Sequence, residues 1–279
     1  MAIITISRGS MSGGEAFANC LATTLGYPVL AREVLVEAAA RLGVPEELLR
    51  KKIQSGAGLF ERLTKDRRIY LVALQSALAD QCTSGNLVYH GNAGHFLLRG
   101  VPNVLKVRLI APLAMRIRAV MARQGLDFKA ARDCIRYVDQ ARIEWTKFVY
   151  GVDWRDPRNY DLVINLRNVS IETACRMVSG AVSLPAYVNT EQVRKKLSDF
   201  ALACRVKVAL AANAESAPIK FDVQADTGKV EVLGESARGV LVRRAGLEGK
   251  NVVLTAKTVK GVKEVTVRFR GPRDSTRAQ

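Results

Sequence analysis

Residues 3–25 read IITISRGSMSGGEAFANCLATTL, and they contain the strongest structural signal in the chain. The β-branched run Ile3–Ile6 predicts a buried strand, the small residues up to Gly14 predict a loop, and the apolar spacing from Glu15 to Leu25 predicts an amphipathic helix. This is the layout of a phosphate-binding loop, in which backbone N–H groups and a helix N-terminus face an anion. An ordinary strand–turn–helix connection of an α/β domain fits the same residues, so both interpretations are open at this point.

The loop departs from the Walker pattern GxxxxGK[ST], in which the Lys reaches the β- and γ-phosphates and the hydroxyl holds Mg²⁺. When the pattern is aligned on Gly13, Arg8 stands at the first glycine, Gly14 at the Lys and Glu15 at the hydroxyl residue. The backbone cradle is kept, while both chemically active side chains are replaced. A carboxylate within about 4–6 Å of a triphosphate repels it, so we expect Glu15 to weaken phosphate binding.

Length and charge limit the number of domains and the classes of partner that this chain can have. The chain has 279 residues, which accommodates one large or two modest domains. Its 43 Lys and Arg residues against 26 Asp and Glu residues give a net charge of +17. Such a surface attracts nucleotide phosphates, other polyanions or anionic lipid headgroups, and a solvated basic surface accounts for the charge equally well. The sequence has no zinc-ligand spacing, RNA-binding aromatic pair or helix-turn-helix pattern, so nucleic acid is not an expected partner.

Five widely spaced cysteines and two histidines limit the redox and metal chemistry. An odd number of cysteines within apolar patterns fits buried thiols in a reducing compartment better than disulfides, and we expect no metal site. The chain enters a strand directly from its N-terminus and has no apolar run of about 18 residues. We therefore expect a cytoplasmic protein, with peripheral contact to a membrane left open.

Strand and helix patterns alternate along residues 1–183. Strands are predicted near 26–30, 86–90, 104–110 and 160–165, and helices at 33–42, from Pro45 after a glycine, at 67–81, after Pro112, at 127–147 and at 170–182, with a hinge at 56–58. Such alternation predicts an α/β fold, a parallel sheet with helices on both faces.

The pattern changes near Leu184-Pro185. The remainder predicts a long helix at 190–212, a hairpin of strands 219–223 and 229–233, a less clear helix near 237–247, and strands near 252–256 and 264–269. Asp226-Thr227-Gly228 between the first two strands is a hairpin signal. We therefore predict a small α+β domain at 190–270, separate from a domain at 1–183, and a polar tail at 271–279.

An ordered set of segments in the first domain matches a known family. The segments are Ile4-Thr5-Ile6-Ser7-Arg8 with Ser12-Gly13-Gly14, Leu25-Gly26-Tyr27-Pro28-Val29 with Arg32-Glu33, Ala111-Pro112 with Arg116, Val138-Asp139-Gln140-Ala141-Arg142, and residues 151–157 with 159–165. Together, over residues 1–182, they resemble the cytidylate kinase-like family of P-loop nucleoside monophosphate kinases. The resemblance implies a phosphate loop, a monophosphate-binding region, a mobile lid, and transfer of the ATP γ-phosphoryl group to CMP or dCMP with Mg²⁺.

The resemblance also implies a role for particular residues of the loop and the lid. Ser12, Gly13 and Gly14 would be the cradle that binds the ATP phosphates, with Arg8 beside them as a replacement cation. Asp139 and Arg142 match the D-x-x-R motif of the lid, whose Arg would close over the phosphates. We therefore take Arg142, Asp139 and Arg8 as candidate catalytic residues. The alternative for Asp139 and Arg142 is an i, i+3 ion pair on a helix surface.

Two further residues match substrate-binding positions of the family. Arg32 matches the start of the monophosphate-binding region, and Asp161 matches the acidic residue that opens the last strand. A residue at the end of a strand, with no binding role, explains Asp161 as well. The segment before it contains Trp154, which we interpret as a core anchor rather than a base-stacking platform.

The chain also departs from the family pattern in its polar residues. Ala31 replaces an Asp, the turn Gly91-Asn92-Ala93-Gly94 lacks its Arg, and Glu15 follows the two glycines where an Arg is common. We therefore expect a nucleotide-binding protein whose phosphoryl transfer is weak or lost. The alternative is an active CMP/dCMP kinase in which Arg8, Arg142 and either Arg155 or Arg158 replace the missing Lys.

Residues 190–270 resemble a BON domain, through the pieces Gly228-Lys229-Val230-Glu231-Val232-Leu233-Gly234 and Val259-Lys260-Gly261-Val262-Lys263-Glu264-Val265. The resemblance implies a small αβ sandwich that binds phospholipid or a protein partner. Basic residues that could face an anionic surface are Lys195, Lys196, Arg205, Lys207, Arg243 and Arg244. Solvated helix faces explain these residues equally well. A non-catalytic adaptor for anionic membranes is therefore a third candidate function.

Overall fold

The computed structural model describes residues 2–31, 33–42, 47, 64–91, 94–217, 219–235 and 241–270. Several predicted features lie outside the described residues. They are Arg32, the start of the helix from Pro45, the hinge at 56–58 and the polar tail at 271–279.

In the described residues, five strands form a parallel sheet in the order β2-β3-β1-β4-β5. They are β1 (Ile3–Arg8), β2 (Val29–Leu30), β3 (Leu87–Tyr89), β4 (Val104–Ile110) and β5 (Leu162–Asn165). Ile3, Ile4 and Ile6 of β1 are all buried, because a central strand covered by helices on both faces needs apolar residues on each side. The predicted α/β class and parallel sheet are confirmed.

Helices pack on both faces of this sheet. They are α1 (Gly14–Leu25), α2 (Glu33–Leu42), α3 (Thr64–Gln81), the short α4 (Gly94–Leu97), α5 (Leu113–Gln124), α6 (Phe128–Tyr150) and α7 (Ile171–Ala181). On one face, Phe17 of α1 shares a core with Ile4 and with α7. On the other face, Leu78 of α3 shares a core with Ile3 and with α2. The loop between β1 and α1 lies at the carboxyl edge of the sheet, the edge where α/β folds bind ligands.

The C-terminal part folds as helix–strand–strand–helix–strand. Its elements are α8 (Glu191–Ala212), β6 (Lys220–Asp226), β7 (Lys229–Glu235), α9 (Leu241–Lys257) and β8 (Glu264–Arg270). β6 and β7 are antiparallel, and β7 and β8 are parallel. Thr227 and Gly228 join β6 to β7 with φ angles of 54° and 91°. Positive φ at both central residues is what a two-residue hairpin turn of type I′ requires, so the predicted hairpin is confirmed.

The strand predicted near residues 252–256 is wrong, because these residues belong to helix α9. Val252 and Ala256 are buried, whereas Leu254 between them is 64% exposed. Burial at i and i+4 with exposure at i+2 is helical periodicity. The β-branched residues suggested a strand, but their apolar neighbours repeat with the period of a helix.

Helix α8 contributes to two cores. Leu197 packs into the core formed with α2 and α3, and Val206 packs against the second sheet. Beside this contact Asp80 of α3 pairs with Arg205 of α8 at 3.0 Å and with Arg41 of α2 at 2.7 Å. The division into two domains stays a prediction, and α8 is where the two parts meet. None of the helices in the described ranges is long and apolar enough to cross a membrane.

Candidate phosphate-binding site

The loop between β1 and α1 has the backbone geometry of an anion-binding turn. Met11 and Gly13 adopt positive φ angles of 56° and 74°, and Gly13 is the N-cap residue of α1. Within the described part of the chain, the backbone N–H groups of residues 13–16 make no hydrogen bond. The first N–H groups of a helix have no intrahelical acceptor and can bind an anion. The N–H groups of Gly13 and Gly14 are therefore free to bind an anion, whereas the Ser12 N–H donates to the Gly9 carbonyl oxygen at 3.3 Å. The cradle itself stays a prediction.

The Arg8 side chain lies directly against Gly14. A Cβ built on Gly14 would stand 1.8 Å from Cδ of Arg8 and 2.4 Å from its Nε. No larger residue fits at this position while Arg8 keeps its place. Because Gly14 stands at the Lys position of the Walker pattern, Arg8 fills the space beside that position from the end of β1. Arg8 therefore brings a cationic side chain to the position that the Lys takes in the Walker pattern.

A second guanidinium, that of Arg142 on α6, lies beside Arg8. Its Nη1 donates a hydrogen bond to the Arg8 carbonyl oxygen at 2.8 Å. Burial, followed by the positive charge of Arg8, lowers the pKa of Arg142 to about 10. Burial also lowers the pKa of Arg8. Both groups stay charged at neutral pH, and their proximity means that a bound anion would be stabilised by both.

Glu15 is exposed to solvent at the start of α1. Its side chain is 64% exposed, and Oε2 lies 3.5 Å from Nη1 of Arg123, which is 66% exposed. The Glu15 charge still acts on Arg8, whose pKa it raises against the larger effect of burial. An exposed carboxylate is screened by water and salt. The expected weakening of phosphate binding by Glu15 stays a prediction, and this exposure makes the expected effect smaller.

Asp139 on α6 bridges Ser10 of the loop and Arg116 of α5. Its Oδ1 accepts from the Ser10 backbone N–H at 3.0 Å, and its Oδ2 accepts from Nη2 of Arg116 at 2.6 Å. Arg116 closes the ring by donating from Nε to the Ser10 carbonyl oxygen at 2.6 Å. The alternative of a surface ion pair between Asp139 and Arg142 is wrong, because each residue contacts the loop instead.

Arg116 is the site residue to which sequence analysis gave no role. It contributed to the family resemblance through its spacing after Ala111-Pro112, and that spacing was the available signal. Its guanidinium carbon lies 3.1 Å from where a Cβ on Gly9 would stand. Gly9 therefore allows the guanidinium to approach the loop closely.

A cavity of about 640 Å³ opens beside these residues, between the start of α5 and the middle of α6. Arg116 and Asp139 line it together with apolar side chains that include Leu113, Ile135 and Ile143. Small-molecule sites typically have volumes of about 300–1,000 Å³, mostly apolar walls and a few polar groups. The cavity is therefore large enough for a small-molecule ligand, and its lining residues belong to α5 and α6 rather than to the loop.

Comparison with known proteins assigns the family. The model of the Cytidylate kinase-like family matches residues 3–168. The chain belongs to the cytidylate kinase-like family. The cytidylate kinase of Pyrobaculum aerophilum is 26% identical over 181 residues, which cover 63% of this chain and 90% of the relative. That of Methanopyrus kandleri is 28% identical over 189 residues, covering 64% and 92%.

A solved structure of an uncharacterized protein from Eubacterium ventriosum is similar to this chain with a TM-score of 0.53 and 23% identity. The similarity covers 65% of this chain and 98% of that one, and at this identity it supports the fold alone. The match to the cytidylate kinase-like family ends at residue 168, before α7 and the C-terminal sheet.

Not every position suggested by the cytidylate kinase-like pattern comes to the loop. Asp161 accepts from the Lys106 backbone N–H at 2.8 Å and fixes the start of β5 to β4. Strand pairing places Arg8 level with Leu109, and Leu109 level with Ile164. Asp161 precedes Ile164 by three residues, which is about 10 Å along a strand. The structure therefore does not bring Asp161 to the phosphate loop, and Arg32 lies outside the described residues.

The segment after α6 fixes the end of β1 from another side. The Tyr160 hydroxyl lies 3.0 Å from Oγ of Ser7, and it donates to the Trp154 carbonyl oxygen at 2.6 Å. Nη1 of Arg108 donates to the same carbonyl at 2.6 Å, and its guanidinium carbon lies 4.5 Å from the centroid of the Trp154 ring. Trp154 is buried. This fits its interpretation as a core anchor rather than as a platform on which a nucleotide base stacks. These contacts hold Ser7, the residue before Arg8.

The residue that holds Mg²⁺ in the Walker pattern is changed in this loop. The hydroxyl position of the Walker pattern is Glu15, whose carboxylate is exposed and lies near Arg123. The Ser12 hydroxyl is buried and has no hydrogen-bond partner among the described residues. No group of three His, Cys, Asp or Glu side chains that could hold a metal occurs in the described ranges.

Proposed function

We propose that the chain binds ATP at the loop between β1 and α1 and transfers its γ-phosphoryl group to CMP or dCMP. The observation that carries this proposal is the position of Arg8 against Gly14, which brings a cation to the place beside the missing Lys. The acceptor is inferred from the relatives, which are cytidylate kinases. Use of ATP fits the cytoplasmic location expected from the sequence.

In the proposed reaction, a phosphate oxygen of CMP attacks the γ-phosphorus of ATP. The bond from that phosphorus to the β–γ bridging oxygen breaks, and CDP and ADP are formed. The free N–H groups of residues 13–16 would hold the donor phosphates. Arg8 and Arg142 would neutralise negative charge on the transferring group, which is the main contribution a protein makes to such a transfer. No step is assigned to Mg²⁺, because Glu15 stands at the position of the Walker hydroxyl that holds it.

A coupled assay of ADP formation with ATP and CMP or dCMP tests the transfer. Turnover of about 1 s⁻¹ or more, the low end of ordinary kinases, would support it. Arg8→Ala is expected to lower kcat by about 100-fold or more, as loss of a charge-stabilising group does, and Arg142→Ala should act similarly. Arg123→Ala is the matched control, because Arg123 is an exposed arginine near the same loop, and we expect less than a twofold change.

Wild-type protein that forms no CDP or dCDP would contradict the transfer. Equal losses in Arg8→Ala and Arg123→Ala would contradict the assigned role of Arg8. Calorimetric titration with ATP and CMP separates these results from a failure to bind. Absence of any nucleotide binding at millimolar concentration would overturn the proposal entirely.

A second candidate function is nucleotide binding without transfer. The observation that favours it is Glu15 at the position where the Walker pattern has its Mg²⁺-binding hydroxyl. A protein of this kind would bind ATP in the calorimetric titration and would form no ADP in the coupled assay. The same two measurements therefore decide between the candidates.

For the C-terminal part, we propose a BON-like binding module. The supporting observation is the element order α8-β6-β7-α9-β8, with a helix before and between the strands. Ion pairs within the chain count against an anionic membrane as its partner. Three basic residues suggested for a membrane surface, Lys195, Arg205 and Lys207, pair with Asp226, Asp80 and Asp222. Co-sedimentation of the full chain with phosphatidylserine and phosphatidylcholine vesicles tests the membrane partner, and equal binding to both would count against it.

A further inference from the structure

Asp139 makes the contacts that a phosphate oxygen would make at this loop. One carboxylate oxygen accepts from the Ser10 N–H at 3.0 Å, and the other accepts from Arg116 at 2.6 Å. A backbone N–H group and a guanidinium together form an anion subsite, and carboxylates and phosphates bind to such donors in the same way. The carboxylate therefore stands in the position of a ligand.

The charges around this position favour a stronger anion than a carboxylate. Arg8, Arg116 and Arg142 lie near one another, and the positive charges of Arg8 and Arg116 both lower the pKa of Arg142. Asp139 is the carboxylate inside this group, with a side chain 23% exposed, whereas Glu15 is 64% exposed. Because a phosphoryl group carries up to about two negative charges, it would neutralise the three guanidinium groups better than Asp139 does.

We propose that the Ser10 N–H group and Arg116 form a subsite for a phosphoryl group of the nucleotide, and that Asp139 is an internal competitor for this subsite. The inference rests on the proposed function and adds a residue that opposes binding. A phosphate and the Asp139 carboxylate cannot both accept from the Ser10 N–H group. When a phosphate binds there, Arg116 therefore exchanges its ion pair with Asp139 for one with the phosphate. This exchange also breaks the contact between Asp139 of α6 and Ser10.

The exchange predicts that removal of the Asp139 carboxylate strengthens phosphate binding. We would titrate tripolyphosphate and ATP, separately, into the full-length wild type, Asp139→Asn and Asp139→Ala. A competing contact of ordinary strength reduces the apparent affinity by about five- to thirtyfold. Asp139→Ala should therefore bind tripolyphosphate more tightly by about this factor, and Asp139→Asn, which has the same shape and lacks the charge, should be intermediate.

Asp133→Asn is the matched control for charge. It removes one negative charge from the same helix, at a side chain that is 51% exposed and pairs with Arg132. We expect its affinity for tripolyphosphate to stay within twofold of the wild type. Adding Arg116→Ala to Asp139→Ala should remove the gain, because the subsite then lacks its cation. Urea denaturation of each variant verifies that it is folded.

Several outcomes would overturn the inference. Equal gains in Asp139→Ala and Asp133→Asn would show a general charge effect rather than a competitor. A loss of ATP affinity in Asp139→Ala with unchanged tripolyphosphate binding would show that Asp139 contacts the nucleoside instead. If neither ATP nor tripolyphosphate binds to any variant, the proposed function itself fails, which distinguishes that result from a failure of the competition alone.

Discussion

Replacing Gly14 by alanine is expected to destabilise this protein, although the same change in an ordinary helix is stabilising. Alanine is favoured over glycine in a helix by about 0.5–1 kcal/mol. The added Cβ would stand 1.8 Å from Cδ of Arg8, whereas packed carbon atoms are about 3.5–4.0 Å apart. Arg8 must therefore move by about 2 Å, and such overpacking costs about 1–3 kcal/mol. We expect a net loss of about 1–2 kcal/mol in the free energy of unfolding.

A double-mutant cycle with Arg8→Ala isolates this contact. Once Arg8 is truncated, the three atoms nearest to the Gly14 Cβ are removed, and Gly14→Ala should stabilise by about 0.5–1 kcal/mol. The coupling between the two positions is then about 2 kcal/mol, within the range measured for residues in contact. Urea denaturation followed by tryptophan fluorescence gives the four free energies. Titration with ATP shows whether displacement of Arg8 also weakens nucleotide binding.

Gly180→Ala in α7 is the control for helix propensity. A Cβ at Gly180 would meet nothing within 4 Å, so this substitution should stabilise by about 0.5–1 kcal/mol. If Gly14→Ala stabilises the wild type as much as Gly180→Ala does, Arg8 does not lie against Gly14. The assignment of Arg8 as the replacement cation would then lose its geometric basis.

Three other predictions, with four substitutions, test separate features. Burial lowers the pKa of His95 from 6.5 to about 3, so stability should fall as the pH drops from about 6.5 towards about 3, by up to about 1.4 kcal/mol per pH unit. His95→Gln should flatten this part of the profile in urea denaturation, and an unchanged slope would contradict the burial of a neutral imidazole. Glu15→Gln should tighten ATP binding by less than about threefold, because the carboxylate is exposed; a larger gain by calorimetry would place it against the phosphates. Val252→Ala should cost about 1–3 kcal/mol and Leu254→Ala less than about 0.5 kcal/mol, and equal losses in urea denaturation would contradict the helical periodicity of α9.

Local patterns predicted most of the elements well. The α2 helix (Glu33–Leu42) and the β4 strand (Val104–Ile110) have the bounds that periodicity and flanking residues indicated. These segments are long or strongly patterned, and their own residues determine their conformation. The error at residues 252–256 arose where the β-branched composition and the spacing disagreed. The spacing reflects which face meets the core, and it determined the outcome.

The sequence was sufficient to predict most residues of the candidate site, but not how these residues are arranged in space. The sequence shows that Gly14 replaces a Lys and that Arg8 is nearby, but the contact between them depends on how α1 leaves the loop. The contact between Ser10 and Asp139 joins residues 129 positions apart. It forms only because α6 packs against the loop, and no local pattern contains that information. The direction of Glu15 was beyond prediction for the same reason.

Because α8 packs into two cores, it determines where the chain can be truncated. A fragment that ends at Ser183 would lack Leu197, which is buried between α2 and α3, and would expose apolar surface to water. The same cut would leave Asp80 with one arginine partner where it now has two. Expression of the nucleotide-binding part alone should therefore retain residues through Ala212, well beyond the segment shared with the cytidylate kinases.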